Sequence, residues 1–139
     1  MTLCVLDASV ALSWAFEDEA SPYGEEVIEA LKSTIAVVPL VWPLEVDNAI
    51  LAAVRRRRIQ EADALRFLTV LDTLPLEIDL EVARGALGQR VLGLGLTHGL
   101  SAYDASYLEL TMRRGLPLAT QDERLLRAAG AAGIEILQR

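Results

Sequence analysis

Leu3-Cys4-Val5-Leu6-Asp7-Ala8-Ser9 is the stretch that decides the fold class of this chain. Four apolar residues in succession, without polar alternation, read as a strand buried on both faces, the pattern of a parallel sheet. An aspartate follows at once, and residues 8–16 carry a helical pattern. A buried strand that ends on an acid and turns into a helix is the opening of a β–α unit.

The same alternation continues outward from this stretch. Ser21-Pro22 is an N-cap followed by proline at the first helical position, opening a helix to about Lys32. Residues 35–38 form a β-branched strand. Pro43 starts a helix to about Arg57, in which Val46, Ala49, Ile50, Ala53 and Val54 recur at helical spacing. Residues 61–74 predict a helix, 76–78 a strand, and 81–92 a helix ended by Gly93 and Gly95. Residues 101–114 predict a helix closed by Gly115. Residues 116–120 predict a strand, 122–129 a helix and 134–137 a last strand. Strands alternating with helices imply an α/β domain with a parallel sheet and right-handed crossovers. In such open sheets, ligands bind beyond the carboxyl ends of the strands.

The 139 residues fit one domain, 1–139, long enough to bury a core without staples. Hydrophobic residues make up 53% of the chain and mean hydropathy is +0.32. So high a value calls for a large core, or for apolar surface that a partner covers. The single cysteine, Cys4, sits in an apolar run and reads as a buried thiol. The most apolar stretch, residues 35–44, is too short for a membrane span and contains Pro39 and Pro43. The start of the chain lacks the basic residues of a signal peptide, so a cytoplasmic protein without membrane contact is expected. The net charge of −7 argues against a general nucleic-acid coating protein. It is compatible with a nuclease whose clustered acids hold cations. Arg55-Arg56-Arg57-Arg58 is the one dense basic run, explained equally by a solvated helix end and by a phosphate or partner contact.

Four acids stand out. Asp7 follows the first strand, Asp122 lies just past the strand ending at Thr120, and Glu45 is in the first turn of the helix after the second strand. These three are expected on one edge of the sheet. Asp104 is in the first turn of its helix, but no clear strand precedes Ser101. Taken singly, each acid is better explained by capping than by catalysis, roughly two to one from capping preferences. Taken together they are harder to explain that way. Asn48 lies three residues after Glu45, so both face one side of a helix at the border of its apolar stripe. Acids converging on one point repel, and a divalent cation removes the conflict. Oxygen-only donors select Mg²⁺ or Mn²⁺. Zinc fits poorly, because His98 and Cys4 have no ligand spacing, and His98 reads as a loop residue.

Other chemistries lack their parts. There is no nucleophile elbow, no Walker A motif, and Gly93-Leu94-Gly95 follows a helix where a dinucleotide fingerprint needs a strand. Asp7-Ala8-Ser9 lacks the second aspartate of an aspartyl-phosphate phosphatase, and the paired acids and lysine of a phosphorylation receiver are missing.

Val5-Leu6-Asp7-Ala8-Ser9, Pro43-Leu44-Glu45-Val46-Asp47-Asn48-Ala49, Leu100-Ser101-Ala102-Tyr103-Asp104-Ala105-Ser106-Tyr107-Leu108 and Leu118-Ala119-Thr120-Gln121-Asp122 occur in this order. Together they resemble the PIN domain, in particular the VapC-type toxins of toxin–antitoxin pairs. The resemblance runs over residues 3–137. It implies a three-layer α/β/α sandwich around a short parallel central sheet, with Asp7, Glu45, Asp104 and Asp122 as an acidic quartet for metal and catalysis. Asp7 and Asp104 match the acids most directly tied to the metal, while Ser9, Asn48 and Thr120 match supporting polar positions. It also implies Mg²⁺-dependent endonucleolytic cleavage of RNA, a homodimer, and a small antitoxin whose tail covers the site. Asp47 stands where the family usually has a small residue, and is expected to point away from Glu45. Arg55, Arg56, Arg113 and Arg114 are candidate RNA or partner contacts, and Trp14, Phe16 and Trp42 are candidate antitoxin contacts or core. A PIN-fold nuclease of RNA processing and a non-catalytic RNA- or protein-binding module are the alternatives.

Overall fold

The computed structural model describes residues 2–138. Four strands form a parallel sheet in the order β3-β2-β1-β4, with β1 at Thr2–Leu6, β2 at Thr34–Pro39, β3 at Leu76–Asp79 and β4 at Leu118–Ala119. Cys4, Val5 and Leu6 of β1 and Ala36, Val37 and Val38 of β2 have no solvent exposure, as strands covered on both faces must. β3 is an edge strand, and Glu77 and Ile78 on it are exposed.

Helices flank the sheet. Before the crossover to β4 come α1 (Ala8–Ser13), α2 (Pro22–Ala30), α3 (Trp42–Arg55) and α4 (Glu61–Leu71), with α1 packed on both α2 and α3, and α3 on α4. The remaining helices are α5 (Gly85–His98), α6 (Ala102–Arg114) and α7 (Glu123–Ala131), with α6 central against α5, α7, β1 and β2. The core joins Leu6, Val10, Val27, Val37 and Val46 to Tyr107, Leu108, Leu110, Leu118 and Leu125. This is the α/β/α arrangement expected.

The chain runs outward from β1 to β2 and β3, then returns to place β4 on the other side of β1. Connections therefore leave β1 and β4 in opposite directions, which opens a crevice at their carboxyl ends. Asp7 N donates to Ala119 O at 2.9 Å, fixing those two ends side by side.

Several expectations are corrected. The third crossover helix does not stop at Gly93. α5 runs to His98, ends on Gly99 in the left-handed region (φ 64°), and begins at Gly85 instead of 81. Its late start follows from a turn in which Glu81 N donates to Asp79 Oδ1. Gly95 has a packing reason to be glycine, since a Cβ there would stand 3.1 Å from Leu100 O. The expected strand at 134–137 is a single bridge, Leu118 to Ile136, with Leu118 N bonded to Glu135 O and Leu137 N to Leu118 O. The strand expected at 116–120 is only two residues long. His98 is the last residue of α5, not a loop residue.

Among the described residues, no helix is long and apolar enough to cross a membrane. Trp14, Phe16 and Trp42 belong to the core side of their two readings. Phe16 and Trp42 are buried, Arg58 stacks over the Phe16 ring, and Trp14 Nε1 donates to Gly24 O.

Candidate active site

The crevice at the carboxyl edge of the sheet is a cleft of about 640 Å³ whose lining includes Asp7, Glu45, Asn48, Asp104 and Asp122. All four candidate acids therefore open into one space. Three arrive as the strand–helix logic requires. The fourth, Asp104, is carried in by α6, which lies across β1 and β2 and points its first turn at the same edge.

Asp7 is the buried member, with 4% of its surface exposed. It occupies the N-cap position of α1 but caps nothing. Instead, Ser9 Oγ and Thr120 Oγ1 both donate to its Oδ2, at 2.6 and 2.8 Å, leaving Oδ1 for the cleft. Thr120 Oγ1 also accepts from Asp122 N at 3.1 Å, and Ser9 Oγ accepts from Gln121 N at 3.1 Å. A hydroxyl both gives and takes, so each one ties Asp7 to the β4–α7 turn. Ser9 and Thr120 thus fix one oxygen of Asp7 against this turn.

Glu45, one turn into α3, is met from α6 by the buried Tyr107, whose hydroxyl donates to Glu45 Oε1 at 2.6 Å. Asn48 lies on the same face of α3 and lines the cleft, whereas Asp47 lies outside its lining, as expected. Asp122 caps α7, its Oδ1 accepting from Leu125 N at 2.9 Å. Asp104 is the third residue of a helix capped by Ser101, whose Oγ accepts from Asp104 N. Capping thus accounts for part of Asp122 and for the position of Asp104, but not for Asp7 or Glu45.

The electrostatics show the conflict that four acids create. Burial raises the pKa of Asp7, helped by the charges of Asp104 and Asp122 and opposed by the Ser9 and Thr120 hydrogen bonds. Burial also raises Glu45, with Asp7 and Asp104 adding to it and Tyr107 opposing. Asp104 is raised by burial and by Asp122, and is held down by Ser101 and by the nearby Arg124. Tyr107 is pushed far above the usual phenol range by burial and the two carboxylates, so it stays a donor. Among the described residues, no lysine or arginine lines the cleft.

Such a set wants a cation. Its donors are all oxygen, which suits Mg²⁺ or Mn²⁺. Among the described residues no three acids stand close enough to chelate a bare ion together. Mg²⁺ does not need such a cage, because it keeps several waters and binds through one or two carboxylates plus substrate phosphates.

Sequence reasoning missed Tyr107 and Gln121. Tyr107 lies one turn after Asp104 on the same helix, and that helical spacing is the available signal. Gln121 is locked by Ser21, whose Oγ donates to its Oε1 at 2.6 Å across 100 residues of chain. No local pattern announces such a contact. Arg113 and Arg114 lie away from the cleft and are engaged, Arg113 with Glu109 and Asp79 and Arg114 with Glu77. Arg55 and Arg56 are exposed at the end of α3, on the continuation of the face that carries Glu45, Asn48 and Ala52.

The profile of the PIN domain matches residues 4–131. The chain belongs to the PIN-domain family. Ribonuclease VapC1 of Mycobacterium tuberculosis is 32% identical to this PIN domain over 135 residues, spanning 94% of this chain and 93% of the relative. The crystal structure of PAE2754 from Pyrobaculum aerophilum superposes with a TM-score of 0.66 at 26% identity, covering 91% of this chain and 79% of that one. A toxin–antitoxin complex from Klebsiella pneumoniae shares the PIN fold at 17% identity, with a TM-score of 0.63 over 94% of each chain.

Proposed function

We propose that this PIN domain is a Mg²⁺- or Mn²⁺-dependent endoribonuclease and the toxin of a toxin–antitoxin pair. The observation that carries the reading is the shared cleft of Asp7, Glu45, Asp104 and Asp122, with Asp7 buried, doubly hydrogen-bonded on one oxygen and unmatched by a protein cation among the described residues. The ribonuclease name of the M. tuberculosis relative supports the substrate class.

Asp7 and Asp104 would hold the ion, with Glu45 and Asp122 completing its surroundings. Bound there, a divalent cation would supply water acidification and stabilisation of charge on phosphoryl oxygens. Ser9 and Thr120 keep Asp7 in one rotamer and help keep it ionised. Glu45 Oε1 is engaged by Tyr107 and Asp122 Oδ1 by its cap, so each has its second oxygen available to orient the attacking water. That water would attack phosphorus in line. The bond to the ribose oxygen would break, and the proton lost by water would balance the proton gained by the leaving oxygen.

An antitoxin segment would cover the cleft, whose wall also carries Leu12, Val41 and the exposed Leu44. The expected homodimer has apolar surface available on α5 and α6, where Leu92, Leu96 and Met112 are exposed.

The test is incubation of purified, antitoxin-free protein with a mixed tRNA and rRNA pool, with Mg²⁺ or Mn²⁺ and with EDTA. Discrete products that vanish with EDTA are expected. Folded, metal-loaded protein that binds RNA without cutting it would favour the binding-module alternative.

A further inference from the structure

A second, smaller cavity of about 310 Å³ lies between the end of α5 and the outer face of α7, lined by His98, Gly99, Arg124, Arg127, Ala128 and Ala131. Its chemistry is opposite to that of the cleft. Three of its residues are basic types, and no carboxylate among the described residues lines it. Neither Arg124 nor Arg127 takes part in an ion pair among the described residues. In this chain of net charge −7, Arg58, Arg66, Arg90, Arg113 and Arg114 all have acidic partners. Arg55, Arg56, Arg57 and Arg84 also lie outside such pairs among the described residues, but Arg124 and Arg127 share one pocket, where both can meet the same anion.

The pocket adjoins the acids. Arg124 is two residues past Asp122 on the same turn into α7, and is near enough to Asp104 to favour its ionised form. Arg127 follows one helical turn later, with roughly 5–6 Å between neighbouring Cβ atoms at that spacing. That is the scale of one nucleotide step. His98, from the last turn of α5, lines the same pocket. The positive charge of Arg124 and Arg127 thus lies beside the acidic cleft.

We infer that the His98–Arg124–Arg127 pocket binds backbone phosphates of single-stranded RNA on one side of the scissile bond, and so sets the register of the strand in the cleft. The inference rests on the ribonuclease reading and adds where the substrate lies. An acidic cleft repels a polyanion, so binding needs fixed positive charge beside it. Arginine presents a planar fork that matches phosphate oxygens. Interactions of this kind position the strand without reading sequence.

The experiment measures binding of a single-stranded RNA oligonucleotide by fluorescence anisotropy over a salt series, in an Asp7→Asn background that leaves the strand uncut. Removing one phosphate-binding charge should lower the slope of log K against log salt by about 0.7. Arg124→Ala with Arg127→Ala should therefore lower it by about 1.4 and weaken binding several-fold at low salt. The double Lys variant, which keeps the charge, should retain most of the slope. Arg66→Ala, on α4 in the other group of helices, serves as the control for removal of one surface charge. RNA binding with a slope and affinity unchanged by the double Ala variant, or changed no more than by Arg66→Ala, would overturn this inference and leave the ribonuclease reading standing. No RNA binding by the parent, with no cleavage by the wild type, would overturn both.

Discussion

Tyr107 on α6 donates its hydroxyl to Glu45 Oε1 on α3 at 2.6 Å, bridging 62 residues of chain and the two walls of the cleft. The tyrosine has no solvent exposure, so water does not compete for its hydroxyl. The bond holds a candidate catalytic carboxylate at a fixed position and lowers the cost of ionising it.

Tyr107→Phe removes that donor while keeping the ring. A hydrogen bond to a charged group contributes about 1.5–3 kcal/mol, and part of this should be lost from unfolding stability in denaturant titration. RNA cleavage should fall with stability still sufficient for folding, because Glu45 loses its anchor. Full activity in a folded Tyr107→Phe protein would mean that Glu45 needs no such support.

Metal and pH should be linked in stability. Folding raises the pKa of Asp7, Glu45 and Asp104, chiefly through burial. Between the ordinary carboxylate range and these raised values, the folded state binds more protons than the unfolded one. Stability without metal should therefore fall as pH rises through that window. A divalent cation favours the ionised forms, so the Tm gain from Mg²⁺ should be larger at neutral pH than at mildly acidic pH. A gain independent of pH would show that these acids do not meet the ion.

Cys4 has no exposure, and burial pushes its thiol up to about 11. Reaction requires an exposed thiolate. Labelling by a thiol reagent at neutral pH should therefore proceed at the rate of opening or unfolding, and rapid labelling of the native protein would contradict the buried β1.

Gly93 lies inside α5, and a Cβ there would meet nothing within 4 Å. Gly93→Ala should therefore stabilise the protein by about 0.5–1 kcal/mol, the cost of glycine in a helix interior. Gly95→Ala should gain less or lose, because its Cβ would stand 3.1 Å from Leu100 O. Destabilisation by Gly93→Ala would show that the helix breaks there.

The α5 glycines mark where the sequence is least legible. Two glycines in three residues read locally as a stop, but packing on α6 carries the helix through them. Residues 134–137 look apolar enough for a strand, yet they sit at the margin beside a two-residue β4 and make one bridge. In contrast, β1, β2 and α3 are legible because burial on both faces and a helical stripe each impose an uninterrupted pattern. Asp7, Glu45 and Asp122 are placed by the strand-end rule alone. Asp104 has no strand before it, and only the path of α6 across the sheet shows why it joins them. Arg113 and Arg114 look like free charge in sequence, whereas their acidic partners come from Glu109 on the same helix and from β3.

The most direct test of the central claim is single-turnover RNA cleavage by wild type, Asp7→Asn, Asp104→Asn and Asp47→Asn with saturating Mg²⁺. Asp47 lies outside the cleft lining, so its variant should cut at the wild-type sites and rate. Asp7→Asn and Asp104→Asn should lose cleavage by about 100-fold or more, the scale of removing a principal electrostatic group from an active site. Wild-type cleavage by folded Asp7→Asn would contradict the assignment of this cleft as the metal-dependent nuclease site.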